Sequence, residues 1–237
     1  MPVISISHRA KQRVRQLKRD QSAVILIEFA YFLPVMLALG LTGTEVANMA
    51  VTNMRVSQIA LTVADNLSRA KQSTGLSLPQ LREVDINDNL LGAKIQGGES
   101  LEILNGGRIV VSSLQRNASG RQWIAWQRCK GTLNVGSKYG VEGTVQPARG
   151  TSGFQGMGTG PQRVTAEANS AIIFAEVTYK YRPLVGEWLF GPRSMRTEAA
   201  FYVRDDRDLT GGDNNNGIYN PSPKATAASC SVFNDTF

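Results

Sequence analysis

The sequence predicts an α+β protein in which a long N-terminal helix, first apolar and then amphipathic, packs on a small antiparallel sheet. Three observations predict it. Residues 23–43, "AVILIEFAYFLPVMLALGLTG", form an apolar run of membrane-spanning length. An apolar stripe at helical spacing continues beyond it, and the C-terminal half carries period-two runs. At 237 residues and 42% hydrophobic, the chain can hold one modest domain beside a membrane segment.

The leader, residues 1–23, holds Arg9, Lys11, Arg13, Arg15, Lys18 and Arg19 against Asp20 alone, and so carries five of the seven net positive charges. A basic, non-aromatic leader beside an apolar span follows the positive-inside rule rather than the pattern of a nucleic-acid surface, so no nucleic-acid partner is expected. This orientation leaves the N-terminus cytoplasmic and exports everything after Gly43. The span, 24–43, is about 20 residues long, enough for an α-helix to cross the hydrocarbon layer and longer than the core of a removable signal. Pro34 lacks a backbone donor and is expected to kink or loosen the helix. Glu28 is the anomaly. A carboxylate in a lipid-facing helix either snorkels to the interface or has a partner.

Beyond the span, Val46, Met49, Val56, Ala60, Val63 and Leu67 recur at spacings of three, four and seven, with Asn53 in the missing position. Span and extension (44–72) together predict one helix of about 45 residues, near 70 Å long. Its outer half needs a packing partner, which the remaining domain, 73–237, supplies. Within Gly75–Leu91 a short helix is expected, with Ser77 as cap, Pro79 in the first turn and Leu81, Val84 and Leu91 as apolar contacts.

"LEILNGGRIVVSSLQR" predicts two strands around an Asn105-Gly106-Gly107 turn, and "RQWIAWQRCKG" a third after "NASG". Trp123 and Trp126 read as sheet packing. Ile173, Ala175, Val177, Tyr179 and Tyr181 alternate with Phe174, Glu176, Thr178 and Lys180, and Thr197, Ala199, Phe201 and Val203 alternate likewise in the last strand. Alternation predicts a meander with one covered face.

The region 131–163 is glycine-rich, with nine glycines between Gly131 and Gly160, and reads as a mobile loop because the spacing and lysine of a phosphate loop are missing. Asp205, Asp206, Asp208 and Asp213, with neighbouring Asn, offer hard oxygen ligands for Ca²⁺, but no bidentate Glu follows at the required distance and a solvated turn is the simpler reading. The only histidine, His8, falls in the leader, so the exported part has no His for a triad or a zinc site. No enzyme, cofactor or metal is expected. Cys129 and Cys230, the only cysteines, predict one disulfide in an oxidising compartment.

"SAVILIEFAYFLPVMLALGLTGTEV" resembles the N-terminal segment of the TadE-like family, minor pilin-like (pseudopilin) components of the Flp, or tight adherence, type IV pilus system. Glu28, Phe29, Ala30 and Pro34 match the family motif, and Ala23 stands where Gly is usual. "VTYKYRPLVGEWLF" and "TEAAFYVRDDRDL" resemble its late strands. The resemblance implies a single-pass protein of the bacterial inner membrane with a periplasmic C-terminal domain. It implies cleavage between Ala23 and Val24 by a prepilin peptidase, so that Glu28 becomes the fifth residue and pairs with a neighbouring subunit's α-amine. The implied partners are membrane lipid, the peptidase, the major Flp pilin, other minor pilin-like subunits and the assembly platform. The alternative is a membrane-tethered periplasmic domain that binds a ligand or a protein.

Overall fold

The computed structural model describes residues 22–72, 78–147, 156–204 and 206–237. The leader up to Gln21, with His8, lies outside the described residues, as do Ser77, Asp205 and residues 148–155 of the glycine-rich region. The chain divides into two units, Met1–Asn48 and Met49–Phe237. In the first, the described residues are helical throughout: they open helix α1, Ser22–Arg69, whose second half belongs to the other unit. Pro34 sits inside α1 without ending it. Thr44 Oγ1 donates to the Gly40 carbonyl (2.8 Å), the local back-bond by which hydroxyls are satisfied in apolar helices.

In the second unit α1 buries Val56, Ile59, Ala60, Val63, Ala64 and Leu67. The predicted stripe holds from Val56 onward and gains Ile59 and Ala64, which complete an i, i+3, i+4 face. Val46 and Asn53 are exposed and Met49 is half-buried, so the packed stripe starts at Val56, nearly three turns later than the spacing suggested.

Strand β1, Leu81–Arg82, precedes helix α2, Glu83–Leu101. The expected helix at Pro79 is corrected: Gln80 pairs with Gln72, and β1 pairs in parallel with β6, Ile218–Tyr219. Those pairings hold the segment extended until Arg82, whose N–H donates to Asp85 Oδ2 (3.0 Å). Glu83 and Asp85 in the first turn also suit the positive end of the helix dipole. Leu81 is buried as expected, but Val84 and Leu91 are exposed, and the packed face is Ile86, Leu90, Ala93, Gly97 and Leu101.

The hairpin expected at Asn105-Gly106-Gly107 is not formed either. Leu101 ends α2, Glu102 caps it in a left-handed conformation, and Ile103 and Leu104 are buried in the turn beyond. Gly107 then opens β2, Gly107–Arg116. A Cβ there would meet the carbonyl oxygens of Ile103 and Thr178 at 2.6 Å, so the tight entry needs glycine. The true hairpin turn is "NASG", leading into β3, Gln122–Lys130, with a bulge between Ser113 and Leu114. Strand β4, Ala171–Tyr181, leads through a short helix α3, Glu187–Phe190, to β5, Arg193–Tyr202.

The four long strands are antiparallel in the order β3-β2-β4-β5. This is not the simple meander expected. β4 lies beside β2 instead of β3, so the chain between Lys130 and Ala171 must cross the sheet. The inner face, with Ile109, Val111, Ile173, Ala175 and Val177, joins α1 and α2 in one core that also holds Trp126, with Trp123 packed against it. The outer face is covered too: Tyr139, Met157 and Ala166 of the crossing segment bury Leu114, Ile124, Ile172 and Phe174. The Tyr139 and Phe174 rings meet edge-on, 5.2 Å apart. The single covered face predicted from alternation is therefore corrected, because Glu176 and Thr178, polar enough to read as solvent-facing, are buried.

The neighbouring residues Leu90 and Leu91 test the face assigned to α2. Leu90→Ala should lower unfolding free energy by about 2–5 kcal/mol, the usual range for a fully buried leucine, and Leu91→Ala by less than about 1. Denaturant titration of each variant in detergent solution reads both; equal losses would contradict this register.

Candidate assembly site

The first unit presents the most conspicuous surface. From Val24 to Leu41 the large apolar side chains of α1 are exposed, including Phe29, Tyr31, Leu33 and Leu37. This part of α1 is long and apolar enough to cross a membrane, with nothing in the described chain buried over it. An apolar surface of this size is stable only in lipid or against protein.

The motif residues all fall on this exposed helix. Ala23 and Val24 lie in its first turn, and Glu28, Phe29, Ala30 and Pro34 follow, each exposed. Val24 and Glu28 are four residues apart, one turn of the same face. A helix of this kind cannot satisfy a carboxylate with its own backbone, since every N–H beyond the first turn is already committed. Pro34 has no N–H to offer Ala30, which leaves that carbonyl without its helical donor.

In the second unit, Cys129 and Cys230 form the expected disulfide, with Cα atoms 4.6 Å apart. Sequence reasoning missed what accompanies it. Arg108, on β2, is buried, and its guanidinium donates to three tail carbonyls or their neighbours: Nη1 to Gly131 (2.9 Å) and Val232 (3.1 Å), Nη2 to Cys230 (2.6 Å). The Phe233 ring stacks 4.0 Å from it. Burial pushes the Arg108 guanidinium below its ordinary value, yet an arginine so placed remains charged. Carbonyl dipoles and an aromatic face replace the water it has lost.

The tail also closes the free edge of β3. Cys129 N–H donates to Ala228 (2.8 Å) and Gly131 N–H to Asn234 (2.9 Å). Nearer the hairpin, Ile124 N–H donates to Thr144 and Gln146 N–H to Gln122, so the crossing segment covers the other half of the same edge. An edge strand covered along its length cannot recruit another chain through its backbone.

Two ionic clusters brace the sheet. The Arg128 guanidinium donates to both carboxylate oxygens of Glu83 and to Glu142 at 3.0 Å, tying α2, β3 and the crossing segment together. On the outer face Arg196 bridges Glu176 and its cross-strand partner Glu198, while the Tyr139 hydroxyl donates to Glu198 at 2.6 Å and Lys138 N–H to Glu176 at 3.1 Å. Burial pushes the Glu176 carboxyl above its ordinary value, with Arg196 pulling the other way without cancelling it. Burial and the adjacent Glu198 likewise raise the Tyr139 hydroxyl. Both carboxylates are thus engaged by one guanidinium, an arrangement suited to bracing rather than to proton transfer. Apart from Arg196 and Glu198, two residues apart on β5, these partners lie 14 to 59 residues apart in the chain, and no local signal links them.

The acidic tail does not form a calcium loop among the described residues. Asp208 Oδ1 accepts the N–H groups of Thr210 (2.8 Å) and Gly211 (2.9 Å), and Tyr219 donates to Oδ2, which holds the carboxyl below its ordinary range. Asp213 faces Lys224 at 3.2 Å. No group of three His, Cys, Asp or Glu side chains able to hold a metal occurs among the described residues.

Arg108 and the disulfide should act as independent fasteners of the tail. Trypsin cutting after Lys224 should leave 225–237 attached under oxidising conditions and, through Arg108, still docked after reduction; reduction of the Arg108→Met variant should release it, read by mass spectrometry of the washed protein. Release of the wild-type peptide on reduction alone would deny Arg108 this role.

Glu176 makes a pH-dependent contribution of definite sign. Its folded-state value is raised, so ionisation opposes folding at neutral pH, and that opposition is relieved as pH falls through the raised value toward the unfolded one near 4.5. The stability of wild type minus that of Glu176→Gln should therefore increase from pH 7 to pH 4.5; a difference that stays flat or shrinks would refute the assignment.

No family model matches the chain, and neither does any curated protein or solved structure.

Proposed function

We propose that this protein is a non-enzymatic, membrane-anchored pilin-like subunit or assembly factor of a Flp-type pilus, working by helix packing. One observation carries the reading: a wholly exposed apolar helix of spanning length bears a single carboxylate one turn from Val24, and the same helix supplies the core of the exported domain. A simple tether needs neither the carboxylate nor the continuity. The basic leader orients the span, and removal of residues 1–23 would create an α-amine at Val24.

That amine and Glu28 form a pairing set between subunits. A carboxylate and an ammonium in an apolar bundle neutralise each other and fix axial register, because sliding by one turn strands both charges. The Val24 amine of one subunit meets Glu28 of its neighbour, and the exposed apolar side chains around them supply the packing. Lipid covers the same surface before assembly.

N-terminal sequencing of protein from membranes should find Val24 as the first residue. Glu28→Gln should leave insertion, processing and the disulfide intact. It should reduce crosslinking to the major pilin and pilus yield by about two orders of magnitude, the consequence of the roughly 3–5 kcal/mol lost when one member of a buried pair is removed. Normal crosslinking and piliation in this variant would end the pairing role.

A further inference from the structure

The loop joining β4 to β5 is unlike the rest of the second unit's surface. Trp188 is 84% exposed, Leu184 66% and Leu189 50%, all within six residues. The other two tryptophans belong to the core. Pro183 and Pro192 bound the loop, and Gly186 turns at φ 127°, a conformation that favours glycine. A Cβ at Gly186 would meet the Trp188 ring at 2.9 Å, so the indole rests on the bare backbone of its own turn. The tip is therefore a built presentation of an aromatic ring. Around it stand Lys180, Arg182 and Arg193, all exposed, against Glu187 as the one acid between Lys180 and Arg193.

The hydrogen bonds within the second unit locate this tip. At one end of the sheet Arg204 N–H donates to the Ser68 carbonyl and Val203 pairs with Ala171, the start of β4. Farther back along α1, Gln96 donates to Thr62, and farther still Arg55 donates to Ser100, close in sequence to Gly107, which pairs with Tyr179 near the end of β4. The eleven residues of β4 cover about 35 Å at roughly 3.3 Å each, and Ser68 back to Met49 covers about 28 Å of helix. The Trp188 tip thus lies at the end of this unit where the chain enters at Met49. Five residues lie between Gly43, the last of the apolar run, and Met49, a reach of at most about 22 Å.

We propose that the Trp188 tip docks into the headgroup region of the bilayer, with Trp188, Leu184 and Leu189 entering the interface and Arg182 and Arg193 meeting anionic lipid. Tryptophan is the side chain best suited to that boundary, since its ring is apolar and its indole N–H remains hydrogen-bonded. The three cations suit an anionic leaflet and keep the tip from burying deeper. The docking rests on the reading of residues 24–43 as a membrane span. It gives the exported domain a second foothold beside its anchor.

The test uses the full chain reconstituted in phosphatidylcholine–phosphatidylglycerol vesicles, with or without lipids brominated near the top of their acyl chains. Flotation of the vesicles first reports whether the span is inserted. Trp188 emission is taken as the difference between wild type and Trp188→Phe. Docking predicts about a twofold loss of that emission in brominated vesicles and protection from aqueous iodide. With phosphatidylglycerol present, Arg182→Gln or Arg193→Gln should each lower the docked-to-free ratio about fivefold. Trp188 fully quenched by iodide in floated vesicles would overturn the docking while leaving the anchor standing. Protection from iodide and bromine alike would assign the tip to a second copy of the chain instead. Failure to float would remove the anchor and the docking together.

Discussion

Everything in the second unit depends on the stripe from Val56 to Leu67. These residues of α1 share one core with α2 and with the inner-face residues Ile109, Val111, Ile173, Ala175 and Val177 of the sheet. Removing them would return a continuous apolar face to water, at about 25 cal/mol for each Å² uncovered. The helix that carries the apolar run is thus the helix that completes the core. The apolar run and part of the core share one element, so a truncation that removes all of α1 also removes part of the second unit's interior.

The second constraint is topological. Inserting β4 beside β2 obliges residues 131–170 to cross the sheet, and a crossing segment must satisfy its own backbone wherever it is buried. It does so with side chains from the strands. Gln122 exchanges two hydrogen bonds with Ala166 (2.9 and 2.7 Å), and Gln127 reaches the Gly140 carbonyl (3.1 Å), each amide standing in for a missing strand. Glycines let this segment turn tightly, while Tyr139 and Met157 give it an apolar underside. The same segment and the tail share the task of covering the outer edge of β3, whose backbone groups they occupy.

Charge is used differently in the two units. Between Val24 and Gly43 the apolar helix carries one acidic or basic side chain, Glu28, among exposed apolar ones. In the second unit charged side chains are held by partners: Arg128 by two carboxylates, Arg196 by two more, Arg108 by carbonyls and a ring. Such pairs add little net stability over apolar packing, but each punishes the wrong neighbour severely. Three segments with weak secondary structure, the crossing segment, the tail and the entry to α2, are placed by such contacts.

The sequence by itself determined the apolar helix and its continuation, the buried positions Val56, Ala60, Val63 and Leu67, the alternation of β4 and β5, the "NASG" turn and the pairing of the two cysteines. Each is written in the spacing of neighbouring residues or in a count that allows one answer. Only the tertiary structure decided that α2 begins at Glu83, that Leu101 ends a helix and residues 103–105 turn instead of forming a strand, and that β3 lies at the edge. The same holds for the burial of the sheet's polar face and for the Arg108 clamp. The start of α2 depends on pairing with Gln72 and with β6, more than a hundred residues away, and overrides a local proline signal. Glu176 looks like a solvent residue in its strand because what covers it, Lys138 and Arg196, comes from elsewhere in the chain. Local periodicity reports how a segment can fold, whereas burial is a property of what arrives to cover it.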